Sequence, residues 1–313
     1  MSKPQSNSTI SKRKSENDFF IPVHSIRPVG DISLKELEFN LAMIGSAKLN
    51  DIGLKGQNIR VGVIDSGCKQ FVTSYKDFTG EGTQDYNGHG THVVSLIKAI
   101  APEAEMYMAK AMDKTGGGSI PNLIAATLWL KEKGCKIVNC SFAFNKGAQV
   151  EVYQKVIDEC VKAGMVFCCA SGNEGSKEAS FPSNKDNVFC VGAIDRGYNI
   201  TDFSNTGKDV DLVAPGKDIL GDDLNNGKVL MSGTSQSTPH VTGMIILYLQ
   251  YKGNLSFYEI YSDITKRSVK DLGQPGFDVD YGYGLIQPYF AGIMDEPPKK
   301  KKSFWQWLKG LFG

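Results

Sequence analysis

The strongest indication of the fold is Ile59-Arg-Val-Gly-Val-Ile-Asp65-Ser-Gly67, an apolar run that ends at an acidic residue and a Ser-Gly turn. The run lacks the polar alternation of a half-exposed strand, so it predicts a strand covered on both faces, as in a parallel sheet. Similar buried strands are expected at 105–112, 137–142, 165–170 and 188–194.

Segments with helical spacing lie between and after these strands. They are residues 91–100, Ile120–Glu132, Val150–Lys162, 235–251 and Phe257–Arg267. Buried strands that alternate with helices predict an α/β fold, with a mainly parallel sheet and helices on both faces. We expect one such domain at about residues 30–290, preceded by a disordered basic tail at 1–18.

Composition limits the classes of function. The net charge is +1, and the excess of lysine and arginine is confined to the two ends, so nucleic-acid binding is not expected. No run reaches the roughly 20 apolar residues that span a bilayer, and the first 17 residues lack the apolar run of a signal peptide. The seven cysteines lie mostly in apolar runs, which favours buried free thiols and a cytoplasmic protein over a disulfide framework.

Three short motifs supply the side chains that amide hydrolysis requires. They are Val63-Ile-Asp65-Ser-Gly67, Asn87-Gly-His89-Gly-Thr-His92 and Ser232-Gly-Thr-Ser235-Gln-Ser-Thr-Pro239. A serine hydroxyl is a weak nucleophile unaided, so an imidazole must take its proton and a carboxylate must orient that imidazole. Asp65, His89 and Ser235 are the candidates, and we interpret the nearby His92 and His240 as structural.

These motifs, in the order Asp, His, Ser, resemble those of the subtilisin-like serine peptidases, the intracellular subtilisins most of all. The segment Ala170-Ser-Gly-Asn173-Glu-Gly175 resembles the oxyanion segment of that family, which assigns the role of oxyanion donor to Asn173. The resemblance covers residues 30–290. It implies a three-layer subtilisin-like fold and a serine endopeptidase that works through an acyl-enzyme intermediate.

The resemblance also implies a cleft in which the substrate binds as an added strand. One wall of the cleft would be Gly116, Gly117, Gly118, Ser119 and Ile120, and the other would be Ser141, Phe142 and Ala143. The primary specificity pocket would be lined by Ala170, Ser171, Gly172 and Ser180. Where the family usually has Ser-Leu-Gly-Gly, this chain has Ser141-Phe-Ala-Phe144, so Phe144 either adds bulk beside the cleft or packs outward under a loop.

Many members of this family hold a tight calcium ion in a loop inserted into the helix that follows the catalytic histidine. Here the chain runs from His92 to Ile100 without an insertion, and Cys68-Lys-Gln-Phe-Val-Thr73 offers no acidic ligand. Calcium takes six or more oxygens, so we expect no tight calcium site and no other cofactor. The sequence leaves a weakly held cation near Asp211 as an alternative.

The two ends carry separate hypotheses. Residues 19–29 form an arm in which Phe20, Ile21, Pro22 and Val23 resemble a segment that lies across the active site of intracellular subtilisins; the alternative is that the arm packs elsewhere on the domain. Proline removes an N–H and fixes φ, which would spoil the cleavage geometry. Residues 291–313 end in four lysines and an aromatic segment, Lys299–Gly313, for which an anionic membrane surface is preferred over a protein partner or an inert tail.

We therefore expect a cytoplasmic serine endopeptidase with a protein or peptide substrate, autoinhibited by its N-terminal arm and peripheral on the inner face of the membrane if the tail binds lipid. The oligomeric state and the cleavage preference stay open. One alternative is a protease dedicated to processing the leader of one peptide. The other is a pseudoprotease that binds peptides without cutting them.

Overall fold

The computed structural model describes residues 18–30, 38–68, 70–144 and 150–292. The strands within these ranges are β1 (Phe19–Phe20), β2 (Ser25–Pro28), β3 (Arg60–Asp65), β4 (Ser74–Asp77), β5 (Glu105–Lys110), β6 (Gly117–Gly118), β7 (Ile137–Cys140), β8 (Ala143–Phe144), β9 (Val166–Ala170), β10 (Phe189–Ile194), β11 (Leu212–Pro215), β12 (Ile219–Asp222), β13 (Lys228–Ser232), β14 (Val269–Lys270) and β15 (Leu285–Ile286). The helices are α1 (Phe39–Ile44), α2 (Ser46–Asp51), α3 (His89–Ile100), α4 (Ile120–Glu132), α5 (Val150–Lys162), α6 (Thr234–Lys252) and α7 (Phe257–Arg267), followed by a 3-10 turn at Pro288–Ala291.

A nine-stranded sheet forms the centre of the molecule, in the order β14-β15-β11-β10-β9-β7-β3-β5-β4. Neighbouring strands run parallel except β14 and β15. In the central strand β3, Val61 lies beside Met106 on one side and Ile137 on the other. Five of the six residues of β3 are buried, because layers of helices cover both faces of the sheet.

Helices cover the two faces in pairs. On one face α3 packs against α6, and on the other α4 packs against α5. Gly62 faces α4 so closely that a Cβ at this position would lie 2.6 Å from the Leu130 side chain. On the opposite face, Thr242 of α6 donates a hydrogen bond of 2.9 Å to Asn139 in β7. The α/β fold expected from the sequence is confirmed.

Helices α4, α5 and α7 begin and end at the residues that the sequence predicts, and the central strands differ by one or two residues at their ends. The sequence prediction missed α1, α2 and the hairpin of β12 and β13. All seven cysteines are buried and none forms a disulfide. Within the described ranges, none of the helices has both the length and the apolar character that crossing a bilayer requires.

The N-terminal arm adds one strand to each of two small sheets. Strand β1 lies between β6 and β8 and is antiparallel to both. Strand β2 lies along β13, also antiparallel, in a sheet of order β12-β13-β2. The arm therefore crosses the region where the strand and helix ends carrying the three sequence motifs meet.

Candidate active site

The three catalytic candidates lie at element ends. Asp65 is the last residue of β3, His89 is the first of α3, and Ser235 is the second of α6. An open α/β sheet places its chemistry at this carboxyl edge of the parallel strands. The exposed fraction of each of the three residues is at most 1 %, so their hydrogen bonds form away from bulk water.

Asp65 and His89 are joined by a carboxylate–imidazole hydrogen bond. Nδ1 of His89 lies 2.9 Å from Oδ1 and 3.0 Å from Oδ2 of Asp65. The backbone N–H of Ser66 donates to Oδ1 at 2.7 Å and so holds the carboxylate in place. Because a carboxylate accepts from Nδ1–H, the other ring nitrogen, Nε2, is the acceptor. This atom is buried and has no hydrogen-bond partner among the described residues, which leaves it able to take a proton.

The hydroxyl of Ser235 is turned to a different acceptor. It donates to the backbone carbonyl of Ser141 at 3.1 Å, and the Ser141 hydroxyl donates in return to the carbonyl of Ser235 at 2.9 Å. Asn139 donates to the Ser141 hydroxyl at 2.9 Å. The structure thus joins the predicted acid to the predicted base, whereas the hydrogen bond from serine to histidine is not formed.

Asn173 is held so that its amide group faces the arm. Its Oδ1 accepts from the N–H of Thr234 at 2.8 Å and from the Thr234 hydroxyl at 2.9 Å, which directs Nδ2 the other way. Nδ2 donates to the carbonyl oxygen of Pro22. A Cβ at Gly233 would lie 3.0 Å from Nδ2 and 3.2 Å from that oxygen, so a side chain would crowd this contact. A carbonyl of the chain itself therefore occupies the place expected for a substrate carbonyl.

Residues before Pro22 run between the two predicted cleft walls. Phe19 pairs with Gly118 and Phe144, and Phe20 pairs with Gly117 and Ala143. The N–H of Ile21 donates to the carbonyl of Gly116 at 2.9 Å. Continuing the β1–β8 register places Pro22 opposite Ser141, whose carbonyl accepts the Ser235 hydroxyl. Two further wall residues, Ser119 and Ile120, begin helix α4: the first caps it, and the N–H of the second donates to Asp18.

The ring of Phe19 is completely buried in an aromatic pocket. Its centroid lies 5.1 Å from that of Phe142 and 5.6 Å from that of Phe144. Phe144 in turn packs edge-on against Phe181, with centroids 4.8 Å apart. At Gly118 a Cβ would lie 2.4 Å from the Phe19 ring, so the wall needs glycine for this ring to fit. Phe144 therefore adds its ring to the pocket beside the cleft.

The residues predicted for the primary specificity pocket lie together beside Asn173. The N–H of Ser180 donates to the carbonyl of Ser171 at 2.8 Å, and the N–H of Gly172 donates to the Thr234 hydroxyl at 3.2 Å. A Cβ at Gly172 would lie 2.6 Å from the Ser180 hydroxyl. Ala170 is the last residue of β9 and is fully buried.

Both remaining histidines of the motifs lie in the interior. His92 donates through Nε2 to the carbonyl of Ile219 at 3.1 Å, and His240 donates through Nδ1 to the carbonyl of Gln236 at 2.8 Å. Burial lowers the pKa of His92 to about 3 and that of His240 to about 4. Both rings are therefore neutral at physiological pH and act as fixed hydrogen-bonding groups.

Asp211 lies away from the cleft, buried between β11 and α7. Its Oδ1 accepts from the Tyr261 hydroxyl at 2.5 Å, and its Oδ2 accepts from the N–H of Cys190 at 2.8 Å. Burial raises the pKa of Asp211 to about 7. Within the described part of the chain, no group of three or more His, Cys, Asp or Glu side chains is arranged to hold a metal ion. The expectations on calcium and on a weak cation remain predictions.

Two residues at this site were missed at the level of sequence: Arg27 and Asp218. Phe19 was expected in the arm, but its burial was not predicted; the Phe19-Phe20 doublet was the available signal, because two adjacent aromatic residues in a polar N-terminal segment need a place to be buried. Arg27 donates through Nε to Oδ1 of Asp218 at 2.9 Å, across a separation of 191 residues that no local pattern reveals.

Comparison with known proteins identifies relatives over most of the chain. A model of the subtilase family, Peptidase_S8, matches residues 56–284. The chain is 30% identical over 284 residues to the major intracellular serine protease of Bacillus subtilis (strain 168), an alignment that covers 79% of this chain and 88% of that protein. It is 31% identical over 264 residues to the intracellular serine protease of Paenibacillus polymyxa, covering 74% and 79%. It is 32% identical over 274 residues to the minor extracellular protease Epr of Bacillus subtilis (strain 168), covering 80% of this chain but only 41% of Epr, so it spans less than half of that relative.

Proposed function

Because this chain belongs to the subtilase family and is a serine endopeptidase, we propose that Asp65, His89 and Ser235 are its catalytic triad and Asn173 its oxyanion donor. The observation that carries the proposal is the hydrogen bond from Asn173 to the Pro22 carbonyl, at the edge of the sheet where the buried Asp65–His89 pair also lies. This contact is the one that a substrate carbonyl would make at the moment of attack.

Each residue then has a defined part in cleavage. The Ser235 hydroxyl attacks the substrate carbonyl while Nε2 of His89 takes its proton, and Asp65 stabilises the resulting imidazolium. The Asn173 amide donates to the oxyanion that develops on the carbonyl oxygen. The imidazolium then gives its proton to the leaving amine, and a water molecule hydrolyses the acyl-enzyme by the same steps in reverse.

Site-directed variants test this assignment. Ser235→Ala should abolish hydrolysis of a casein or peptide substrate, and Asn173→Ala should lower kcat by about 10²–10³-fold, the loss known for this asparagine in subtilisin itself. The fall should appear in kcat with little change in KM, because the amide acts on the transition state. An Asn173→Ala variant with unchanged kcat would contradict the role given to that residue.

We further propose that the arm inhibits the enzyme that carries it. Pro22 has no N–H, and the carbonyl of Ser141 that lies opposite accepts the Ser235 hydroxyl instead. The nucleophile is thereby held away from His89 while the arm fills the cleft. A full chain carrying Phe19→Ala, which removes the buried ring, should hydrolyse peptides faster than the native chain. Unchanged or lower activity in a folded variant would count against inhibition.

The location inside the cell and the role of the C-terminal tail are also proposals. Two relatives carry the word intracellular in their names, which supports a cytoplasmic enzyme. Residues 299–313 lie outside the described residues, and their lysines and tryptophans support attachment to an anionic membrane surface. Co-sedimentation with phosphatidylserine vesicles, with and without residues 296–313, tests this. Equal pelleting of both forms would contradict it.

The alternative of a dedicated processing protease draws support from one observation. The fully buried Phe19 occupies a pocket of Phe142 and Phe144, and such a pocket favours a narrow range of substrates over general degradation. Hydrolysis of a peptide library would separate the two: cleavage confined to peptides with an aromatic residue in the position of Phe19 indicates processing.

A further inference from the structure

The second half of the arm lies along β13, beyond the Pro22–Val23 bond. The N–H of His24 donates to the carbonyl of Ser232 at 2.9 Å, and residues 25–28 continue antiparallel to residues 229–232. A peptide that replaced the arm would be held by the same backbone hydrogen bonds, because such bonds do not depend on side chains. The cleft therefore offers a strand on which to bind the part of a substrate that follows the cut bond.

Two side chains in this half of the arm make specific contacts. The His24 ring stacks on Phe203, with centroids 4.3 Å apart and planes 23° apart. Arg27 donates through Nε to Oδ1 of Asp218 at 2.9 Å, and both side chains are partly exposed, by 49% and 34%. The ion pair thus lies at the rim of the cleft, where an incoming chain would reach it.

Asp218 is fixed in position by the hairpin that binds the arm. Its backbone has φ +58°, the left-handed conformation that aspartate tolerates, and its N–H donates to the Ser232 hydroxyl at 2.9 Å. Ser232 is also the residue whose carbonyl holds His24. Asp222, a second acidic residue of this hairpin, forms its ion pair with Lys228 of the same hairpin at 2.6 Å. The carboxylate of Asp218 is therefore the one directed to the arm.

The Pro22–Val23 bond lies at the catalytic centre, because the Pro22 carbonyl accepts from Asn173. Arg27 is the fifth residue after this bond. We propose that Asp218 is a specificity-determining residue that selects a basic residue at this fifth position of a substrate. The inference rests on the proposed function, since it takes the arm as a template for a bound substrate. It describes the substrate as a protein segment with at least five residues after the cut, the fifth of which is lysine or arginine.

The size of the effect follows from the exposure of the pair. An exposed ion pair changes kcat/KM by about two- to fivefold when one charge is removed, and more when a charge is reversed. Salt screens charges at the surface, so the preference should shrink as ionic strength rises from about 0.05 to about 0.5 M, a change that shortens the Debye length about threefold. A contact made only through packing would not respond to salt in this way.

The test uses three peptides, Asp-Phe-Phe-Ile-Leu-Val-His-Ser-Ile-Xaa-Pro, with Xaa as Arg, Ala or Glu. They reproduce residues 18–28 with leucine in the place of Pro22. The enzymes are full chains that all carry Phe19→Ala to loosen the arm, alone or with Asp218→Asn, Asp218→Lys or the matched control Asp222→Asn. The measured quantity is the ratio of kcat/KM between peptides for one enzyme, in which any residual occupancy by the arm cancels.

Arg should be preferred over Ala by about two- to fivefold in the parent and in Asp222→Asn. The preference should vanish in Asp218→Asn and turn towards Glu in Asp218→Lys. Equal ratios in the parent and Asp218→Asn, with peptides cleaved, would overturn the inference and leave the proposed function standing. Binding of labelled peptides to chains that also carry Ser235→Ala is measured in parallel: dependence on Asp218 without cleavage in any enzyme would support the inference and contradict the proposed function. If no peptide is bound or cleaved, both fail.

Discussion

Replacing Pro22 with alanine should turn the arm from an inhibitor into a substrate. Alanine restores an N–H opposite Ser141, where it competes with the Ser235 hydroxyl for the Ser141 carbonyl, now bound at 3.1 Å. A hydroxyl released from that carbonyl can turn to Nε2 of His89, which has no hydrogen-bond partner in the part of the chain that the structure describes. The carbonyl of residue 22 accepts from Asn173 in the native chain, and alanine retains that carbonyl. The 22–23 bond should therefore stay at the catalytic centre in the variant.

The magnitude follows from that one hydrogen bond. A neutral hydrogen bond contributes about 0.5–1.5 kcal/mol, which corresponds to about a two- to twelvefold larger fraction of Ser235 aligned with His89. Loss of proline's rigidity weakens the bound arm by about 0.4–1 kcal/mol, a smaller effect in the opposite sense. With about 1 kcal/mol gained and about 0.7 kcal/mol lost, the rate of cleavage at the 22–23 bond should rise by about twofold.

Intact mass spectrometry over time, with sequencing of the new N-terminus, measures this rate. Pro22→Ala should yield a fragment that begins at Val23, and the double variant with Ser235→Ala should yield none. Pro28→Ala is the matched control, because Pro28 lies in the same arm on the exposed strand β2 and should leave self-cleavage unchanged. A Pro22→Ala chain that hydrolyses an added peptide while its own arm stays intact would show that the missing N–H of Pro22 does not protect the arm.

The remaining predictions concern the aromatic pocket and the buried acid. Phe144→Ala should raise peptide hydrolysis by the full chain, because Phe19 of the arm would lose one of its two aromatic partners. Such aromatic pairs contribute about 0.5–1.5 kcal/mol beyond their buried area. Initial rates on a fluorogenic peptide measure this, and an unchanged rate would mean that Phe144 does not help to hold the arm. Asp211 has a folded pKa raised to about 7, so the native state holds an extra proton between its ordinary pKa of 3.8 and that value. Its contribution to stability is present below pH 4 and is lost as pH rises towards 7, by at most about 4 kcal/mol. Urea unfolding at pH 5 and pH 8 should show a larger loss of stability for the native chain than for Asp211→Asn, and equal losses would contradict the raised pKa.

Sequence was sufficient to place three of the candidate site residues at the ends of strands or helices. Asp65, His89 and Asn173 follow from motifs at strand or helix ends, and the structure brings them to one edge of the sheet. Helices such as α5 and α7 were predictable to the residue because their apolar spacing is regular and their ends carry local signals, such as the capping box of Ser256 and Glu259.

Contacts between distant parts of the chain could not be predicted in this way. The burial of Phe19 depends on pairing with strands near residues 118 and 144, and the Arg27–Asp218 pair joins the arm to a hairpin whose strands the sequence analysis missed. The hydrogen bond of Ser235 to Ser141 joins residues that lie 94 positions apart in the sequence. Such contacts are set by tertiary packing, which no local periodicity records.

A fluorophosphonate probe tests the triad most directly, because it reacts only with a serine whose proton is taken by a base. Full chains carrying Phe19→Ala should be labelled at a single residue, Ser235, and the added substitution His89→Ala should abolish labelling. The native chain should react more slowly than Phe19→Ala, since its arm fills the cleft. Labelling at another serine, or at Ser235 with equal speed when His89 is absent, would contradict the account.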